Sequence, residues 1–247
     1  MNAVAYLGHA TVLMELDGTK LLTDPLLRRR VTHLRRASSV EMDTVREVDA
    51  VLISHAHHDH LDLRSLMRLD RSVQVVVPIG LGRLVRRKGF GSVTEVDEGD
   101  VATFGSLTVR ATHAEHGGKR QPGRARGPAL GYVVEGSRTI YFAGDTALFD
   151  GMDGLAVELD VALLPIWGWG PGLGRGLHLD PKGAAEALRL LRPRIAIPIH
   201  WGTYRPLHIG PGARFLREPA EAFVREATAL APEVDVRVLL PGERLPL

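Results

Sequence analysis

Short apolar blocks, broken at regular intervals by turn-forming residues, run the length of the chain. Residues 2–8 and 10–16 read as two strands around Gly8-His9, and Asp17-Gly18 is a hairpin signal. Residues 20–23 predict a third strand, stopped by Asp24-Pro25. A basic loop with Arg28, Arg29, Arg30, Arg35 and Arg36 follows, and residues 49–54 then predict a buried strand. Leu63 to Leu69 has helical spacing behind Asp62 as N-cap. Residues 73–77 predict another buried strand, and 80–88 a helix ending at Gly89. Strands near 92–96, 101–104 and 106–112 come before a Gly/Pro-rich basic loop over 117–128. Residues 129–135 and 138–143 form a second hairpin, and 160–164 a further strand. After a Gly/Trp/Pro loop over 167–176, Asp180-Pro181 opens a helix to about Leu191, with Asp as cap and Pro at the first helical position. A strand over 194–199, a helix over 218–230 and a strand over 235–240 close the chain. Strand-rich halves interleaved with helices predict an α/β fold of two stacked sheets with helices outside.

Composition changes this picture little. A chain of 247 residues, 45% hydrophobic and 24% charged, has the size and balance of a globular protein with a substantial core. No low-complexity linker divides it, so residues 1–247 are read as a single domain. The absence of cysteine excludes disulfides and thiolate metal sites. The N-terminus carries neither a basic n-region nor an apolar h-region, and no apolar run approaches a membrane span. A cytoplasmic protein without a transmembrane segment is the expectation. Of 31 basic residues only Lys20, Lys88, Lys119 and Lys182 are lysine, and the rest are arginine. Guanidinium suits phosphate and carboxylate, although a GC-rich genome enriches arginine equally well.

Candidate chemistry concentrates in Ser54-His55-Ala56-His57-His58-Asp59-His60, directly after the strand over 49–54. Open α/β sheets place their sites at such strand ends. In an extended loop His55 and His57 point the same way and can share one metal ion. Asp59 and His60 follow a turn and suit a second ion. Several packed imidazoles would repel if protonated and have no packing role, so a merely solvated loop explains them poorly. Imidazole nitrogen with carboxylate oxygen suits zinc first, with manganese or iron compatible. Three further strand ends carry donors: His116 after Thr112-His113-Ala114-Glu115, Asp145 in Ala143-Gly144-Asp145-Thr146, and His200 in Ile199-His200-Trp201-Gly202-Thr203.

Taken in order, these motifs resemble the metallo-β-lactamase superfamily, and the match spans most of the chain. The resemblance implies a four-layer αββα sandwich with metals at one edge between the sheets. It implies two divalent metal ions: His55, His57 and His116 on the first, Asp59, His60 and His200 on the second, and Asp145 bridging. The β-lactam-hydrolysing branch often uses a cysteine ligand, which this chain lacks. The diiron flavoprotein branch carries glutamate where this chain has His57. Leu7-Gly8-His9-Ala10-Thr11, Leu22-Thr23-Asp24-Pro25, His178-Leu179-Asp180-Pro181 and His200-Trp201-Gly202-Thr203 are similar to a subgroup that includes N-acyl-phosphatidylethanolamine phospholipase D and L-ascorbate-6-phosphate lactonase.

A metal-dependent hydrolase follows from the resemblance. Its nucleophile is a metal-bridging hydroxide, and its substrate a small, phosphate-bearing phosphodiester or phosphorylated lactone. Asp59 orients the water, and His178 assists the leaving group. Lys119, Arg120, Arg124 and Arg126 follow His116 and are candidates for phosphate contact, or else a solvated basic hairpin. Two alternatives remain: a metallo-nuclease acting on RNA or DNA, and a metal-binding sensor without turnover. No basic run interleaved with aromatics is present, so no stable nucleic-acid partner is expected. His9 is equally a site-floor residue or a loop contact, and Asp24 either caps a turn or orients an imidazole. His58 and His113 read as solvent-facing or supporting, and His33 and His208 as surface residues. Trp167, Trp169 and Trp201 read as core or pocket wall.

Overall fold

The computed structural model describes residues 2–117, 127–155, 158–167, 178–210 and 212–247. β1 (Ala3–Gly8), β2 (Thr11–Leu16) and β3 (Thr19–Thr23) form an antiparallel meander. β4 (Arg30–Val31) and β5 (Leu34–Arg36) pair in a small sheet of their own. β6 (Ala50–Leu52), β7 (Gln74–Pro78) and β8 (Val93–Val96) then extend β3 in parallel. α1 (Leu63–Leu66) and α2 (Gly82–Arg86) lie in the crossovers between them.

The second sheet repeats this plan. β9 (Val101–Phe104), β10 (Leu107–His113), β11 (Leu130–Glu135) and β12 (Thr139–Phe142) run antiparallel. β13 (Val161–Pro165) and β14 (Ile195–Ile199) continue in parallel, with α3 (Pro181–Leu191) between them. β15 (Tyr204–Pro206) joins the small sheet beside β5. α4 (Glu218–Leu230) packs on α3, β16 (Asp235–Val236) lies beside β14, and β17 (Arg244–Pro246) returns to β1.

Strand alternation builds the layers. Val4 and Tyr6 of β1, Ala50 and Leu52 of β6, and Val76 of β7 belong to the core shared with the second sheet. Their neighbours Ala5, Leu7, Val51, Ile53, Val75 and Val77 point the other way, into a second core with Leu66, Val85 and Phe90. Both faces of the first sheet are therefore dry, as parallel strands covered by helices require. On the far side, Ala184, Ala187, Leu188 and Leu191 of α3 and Phe223 of α4 bury against the second sheet's core. The result is the αββα sandwich.

Most predicted elements appear, several of them shorter. The helices expected over 63–69 and 80–88 narrow to α1 and α2, and the strand over 235–240 to β16. Asp62 caps α1 through the Ser65 amide, and Asp180 caps α3 through the Gly183 amide. The basic segment over 28–36 is not simply a loop: it holds β4 and β5. Strands of two or three residues are too short to show a period, so their pairing with β15 had no local signature. β17 escaped notice for the same reason.

Candidate metal centre

The ends of β6, β10, β12 and β14 meet at one edge of the sandwich, where the chain changes from strand to loop. Asp24 ties the first of these ends down. Its amide donates to Leu52 O (3.0 Å), and its Oδ1 accepts from the Ser54 amide (2.8 Å). Asp24 Oδ2 accepts from Ser54 Oγ (2.5 Å) and from His60 Nδ1 (2.7 Å). His55 Nδ1 lies 2.9 Å from Ser54 Oγ. With the hydroxyl proton committed to Asp24, His55 donates to Ser54, and the Nε2 lone pairs of both His55 and His60 face inward. His200 repeats the device by donating Nδ1–H to Trp167 O (2.5 Å). An outer hydrogen bond that fixes tautomer and ring is how metal-binding imidazoles are held.

A tight turn separates the two parts of the histidine loop: the amides of His60 and Leu61 both donate to His57 O (3.1 and 2.8 Å). His57 and His55 lie on one side of it, ring centroids 4.6 Å apart, and His116 joins them. His57 Nδ1 and His116 Nε2 are 3.1 Å apart. Two nitrogens on a tetrahedral zinc, each about 2.0–2.1 Å from the metal, lie roughly 3.3 Å apart. Asp59, His60 and His200 gather on the other side, with Asp59 Oδ2 3.7 Å from His60 Nε2 and 3.8 Å from His200 Nε2. Asp145 stands between the groups. Its Oδ2 is 3.1 Å from His60 Nε2 and 4.0 Å from His55 Nε2, and its Oδ1 is 3.4 Å from His200 Nε2. All seven sequence-predicted donors thus converge. Asp145 depends on the glycine before it. Gly144 has φ +60°, and a Cβ there would sit 2.7 Å from Ser54 Cβ.

Two residues outside the predicted ligand set also face the cluster. His178 Nε2 lies 3.0 Å from Asp145 Oδ2, on the more open side beside His116. His9 Nε2 lies 3.0 Å from Asp59 Oδ2, and its ring is 3.9 Å from that of His200. His9, Asp59, His60 and His200 form a four-donor group whose ligand atoms lie within 4.8 Å of one another. The even choice for His9 therefore resolves toward the site floor. His9 (φ 58°), Asp24 (φ 34°) and His200 (φ 63°) all adopt left-handed backbone, a strain that gathers at working sites. The Gly8-His9 bend between two strands and the Leu7-Gly8-His9-Ala10-Thr11 motif are its signs in the sequence.

The donor set fits metal. The inward Nε2 of His55 and Oδ1 of Asp145 are buried and have no hydrogen-bond partner among the described residues. Burial would raise both carboxylates, but the imidazoles reverse it. His60, His200 and His9 hold Asp59 well below the usual carboxylate range, and His200 and His60 do the same to Asp145. Burial and the neighbouring His60 push His55 well down, and burial with His200 takes His9 down to about 3. Burial also opposes charge on His60, yet Asp145, Asp59 and Asp24 raise it well above its ordinary value. Ionised carboxylates with neutral imidazoles are the forms in which ligands bind metal, and the field that holds a proton on His60 equally favours a metal cation.

A model of the beta-lactamase superfamily domain matches residues 19–201. The chain belongs to the metallo-β-lactamase superfamily. It is 32% identical over 246 residues to a UPF0173 metal-dependent hydrolase of Methanopyrus kandleri, with 97% of each chain covered. It is 31% identical over 225 residues to N-acyl-phosphatidylethanolamine-hydrolyzing phospholipase D 1 of Caenorhabditis elegans, covering 81% of this chain and 63% of that one. Among solved structures, Igni18, a metallo hydrolase from Ignicoccus hospitalis, superposes with a TM-score of 0.73 at 25% identity, covering 100% of this chain and 98% of that one. The chain is a metal-dependent hydrolase of this superfamily.

The remaining candidates separate by place. His58 is exposed. His113 turns away from the cluster, with Nδ1 3.1 Å from Glu98 Oε2 and its ring against Phe149. Trp201 is core, stacked on Tyr6, and Trp167 is half-buried behind His200. His33 and His208 are exposed. Lys119, Arg120, Arg124, Arg126 and Trp169 lie outside the described residues. No helix among the described residues is long and apolar enough to cross a membrane.

Proposed function

We propose that residues 1–247 act as one domain that holds two divalent metal ions, zinc first, and hydrolyses a phosphodiester or a phosphorylated lactone. The observation that carries the two-ion reading is the position of Asp145, within 4.0 Å of His55, His60 and His200 at once. His55, His57 and His116 would hold one ion, and Asp59, His60 and His200 the other, with Asp145 shared. The bound ions supply an activated water at neutral pH and polarise the substrate oxygen.

The chain's own groups do the rest. Asp59, 21% exposed in its side chain, sits at the solvent side of its group and can orient the water or take its proton. His9 Nε2 holds that carboxylate from behind. His178, 14% exposed and paired with Asp145, faces the open side, where it can protonate a departing oxygen. The likeness to a phospholipase D of Caenorhabditis elegans supports the phosphodiester class. Lys119 and Arg120 remain candidate phosphate contacts by their place just after His116.

The test pairs elemental analysis with turnover. Protein purified without chelator should carry close to two ions per chain. The loaded protein should hydrolyse bis(p-nitrophenyl) phosphate faster than neutral lactones or a chromogenic β-lactam. One ion per chain under metal-replete conditions would sink the dinuclear reading. A neutral lactone as the best substrate would sink the phosphate reading, and preferred cleavage of RNA or DNA would replace it with a nuclease.

A further inference from the structure

The small sheet holds a cluster of positive charge that the metal centre does not use. Arg30 of β4 lies directly opposite Arg35 of β5, and Arg35 directly opposite Arg205 of β15. Directly opposed residues put their side chains on one face of a sheet, and like charges in that relation destabilise it. Three guanidinium groups thus form a row across all three strands. Arg29 stands beside the row, and it lines a cavity of about 520 Å³ with Arg35, Arg205, Ser38 and Ser39. A second hollow of about 330 Å³ continues past Arg29, Arg30 and Arg35.

No counter-charge answers this row. Among the described residues none of Arg29, Arg30, Arg35 and Arg205 forms an ion pair, and no carboxylate lines either hollow. The residues outside the described set contain no Asp or Glu, so none of them supplies the missing charge. Arg205 is 9% exposed; its Nη1 donates to Ile209 O, while its Nε is buried without a hydrogen-bond partner, as is Ser38 Oγ. Arginine stays protonated at any physiological pH, and a buried charge without a counter-charge is costly. Arg36 also borders the cavity, but its guanidinium nitrogens Nη1 and Nη2 are turned away to donate to Leu26 O, Leu7 O and the Tyr204 hydroxyl, and only its Nε is left unpartnered.

We propose that the Arg29–Arg30–Arg35–Arg205 face of the small sheet binds the phosphate group of a small molecule, at a site separate from the metal cluster. Guanidinium forks match phosphate oxygens in pairs, and one phosphate group relieves the repulsion along the whole row. The cavity has ligand size. It has no aromatic side chain in its wall, so it offers no platform for stacking bases, and a phosphate-bearing small molecule fits better than single-stranded nucleic acid. A short hydrogen-bonded path through Thr203 joins the site to the metal centre. Ala37, in the cavity wall, donates to Thr203 O (2.8 Å), and Thr203 Oγ1 accepts from the His9 amide (2.6 Å).

Binding is read without turnover, so this inference stands or falls independently of the substrate proposed above. Metal-loaded protein and Arg35→Ala are melted in phosphate-free buffer, then titrated with inorganic phosphate and with glycerol 3-phosphate. Arg35 is exposed, so its removal leaves the core intact. The expected result is a crossing: Arg35→Ala unfolds at a higher temperature without phosphate, because the repulsion is relieved. The parent chain gains more from phosphate and binds it about tenfold or more tightly than the variant. A free-anion site binds inorganic phosphate at least as well as the ester, and a phosphomonoester site prefers glycerol 3-phosphate; either supports the proposal. Equal stabilisation of parent and variant, as phosphate at the metal centre would produce, overturns it. So does an oligonucleotide that stabilises the parent more than glycerol 3-phosphate at matched phosphate concentration. Arg29→Ala repeats the measurement should Arg35→Ala fail to fold.

Discussion

The two sides of the metal centre are built to different standards of enclosure. His9, His60 and His200 are buried to within a few per cent, and Asp59 is the half-open member of their group. On the other side only His55 is buried, while His57, His116 and His178 are partly exposed. His60 leans on the buried Asp24, and His200 on a backbone carbonyl, both set by strand ends. His57 shares the loop after β6 with Asp59 and His60, and His116 stands on the loop after β10, both nearer solvent than His60 and His200. One side is thus an enclosed seat, and the other the more open mouth of the cluster.

Removing the residue that belongs to both sides should do most damage. Asp145→Ala leaves the two imidazole groups facing each other without their shared carboxylate. Elemental analysis should show both ions lost, and turnover should fall by far more than the roughly 10–100-fold typical of an outer-shell change. A folded Asp145→Ala protein with full metal content would show that each side holds its ion alone.

His178 tests the mouth. His178→Ala should keep its metals and slow turnover by about 10²–10⁴-fold for substrates with poor leaving groups. The loss should shrink when the leaving group needs no proton. A uniform loss over a leaving-group series would assign His178 to positioning.

Asp24→Asn tests the seat. The amide keeps the volume but removes the charge that orients His60, so metal affinity should fall by about 10–100-fold in competition with a chelating dye. Asp24 also steadies His55 through Ser54, so unchanged affinity for metal at both groups is the result that would remove Asp24 from the support of the centre.

The smallest effect belongs to His113, three residues before His116. His113→Ala removes an exposed ring that contacts Glu98 and Phe149, so metal content and turnover should stay within about twofold, and stability within about 0.5 kcal/mol. Loss of an ion in this variant would widen the cluster beyond the donors assigned here.

Much of this centre could be read before any fold was known. Strand-end donors at His55, His57, Asp59, His60, His116, Asp145 and His200 follow apolar runs whose period marks them as strands. Gly144 announced the backbone that Asp145 needs, and Asp180-Pro181 announced α3. These signals are local. Each depends on residues within a few positions, where sterics, capping and side-chain alternation act directly on the chain.

What tertiary structure decided are contacts between residues far apart in sequence. Asp24 could have capped a turn, and only the parallel pairing of β3 with β6 carries it to His60. The Leu7-Gly8-His9-Ala10-Thr11 motif left the place of His9 open, and it enters the site because the β1–β2 bend meets the end of β14, where the His200 amide donates to His9 O (2.7 Å). The arginine row exists only because β15 crosses the chain to lie beside β5. Period and propensity set each element, but which strand ends become neighbours is decided by how two sheets bury their faces against each other. No short window of sequence contains that information.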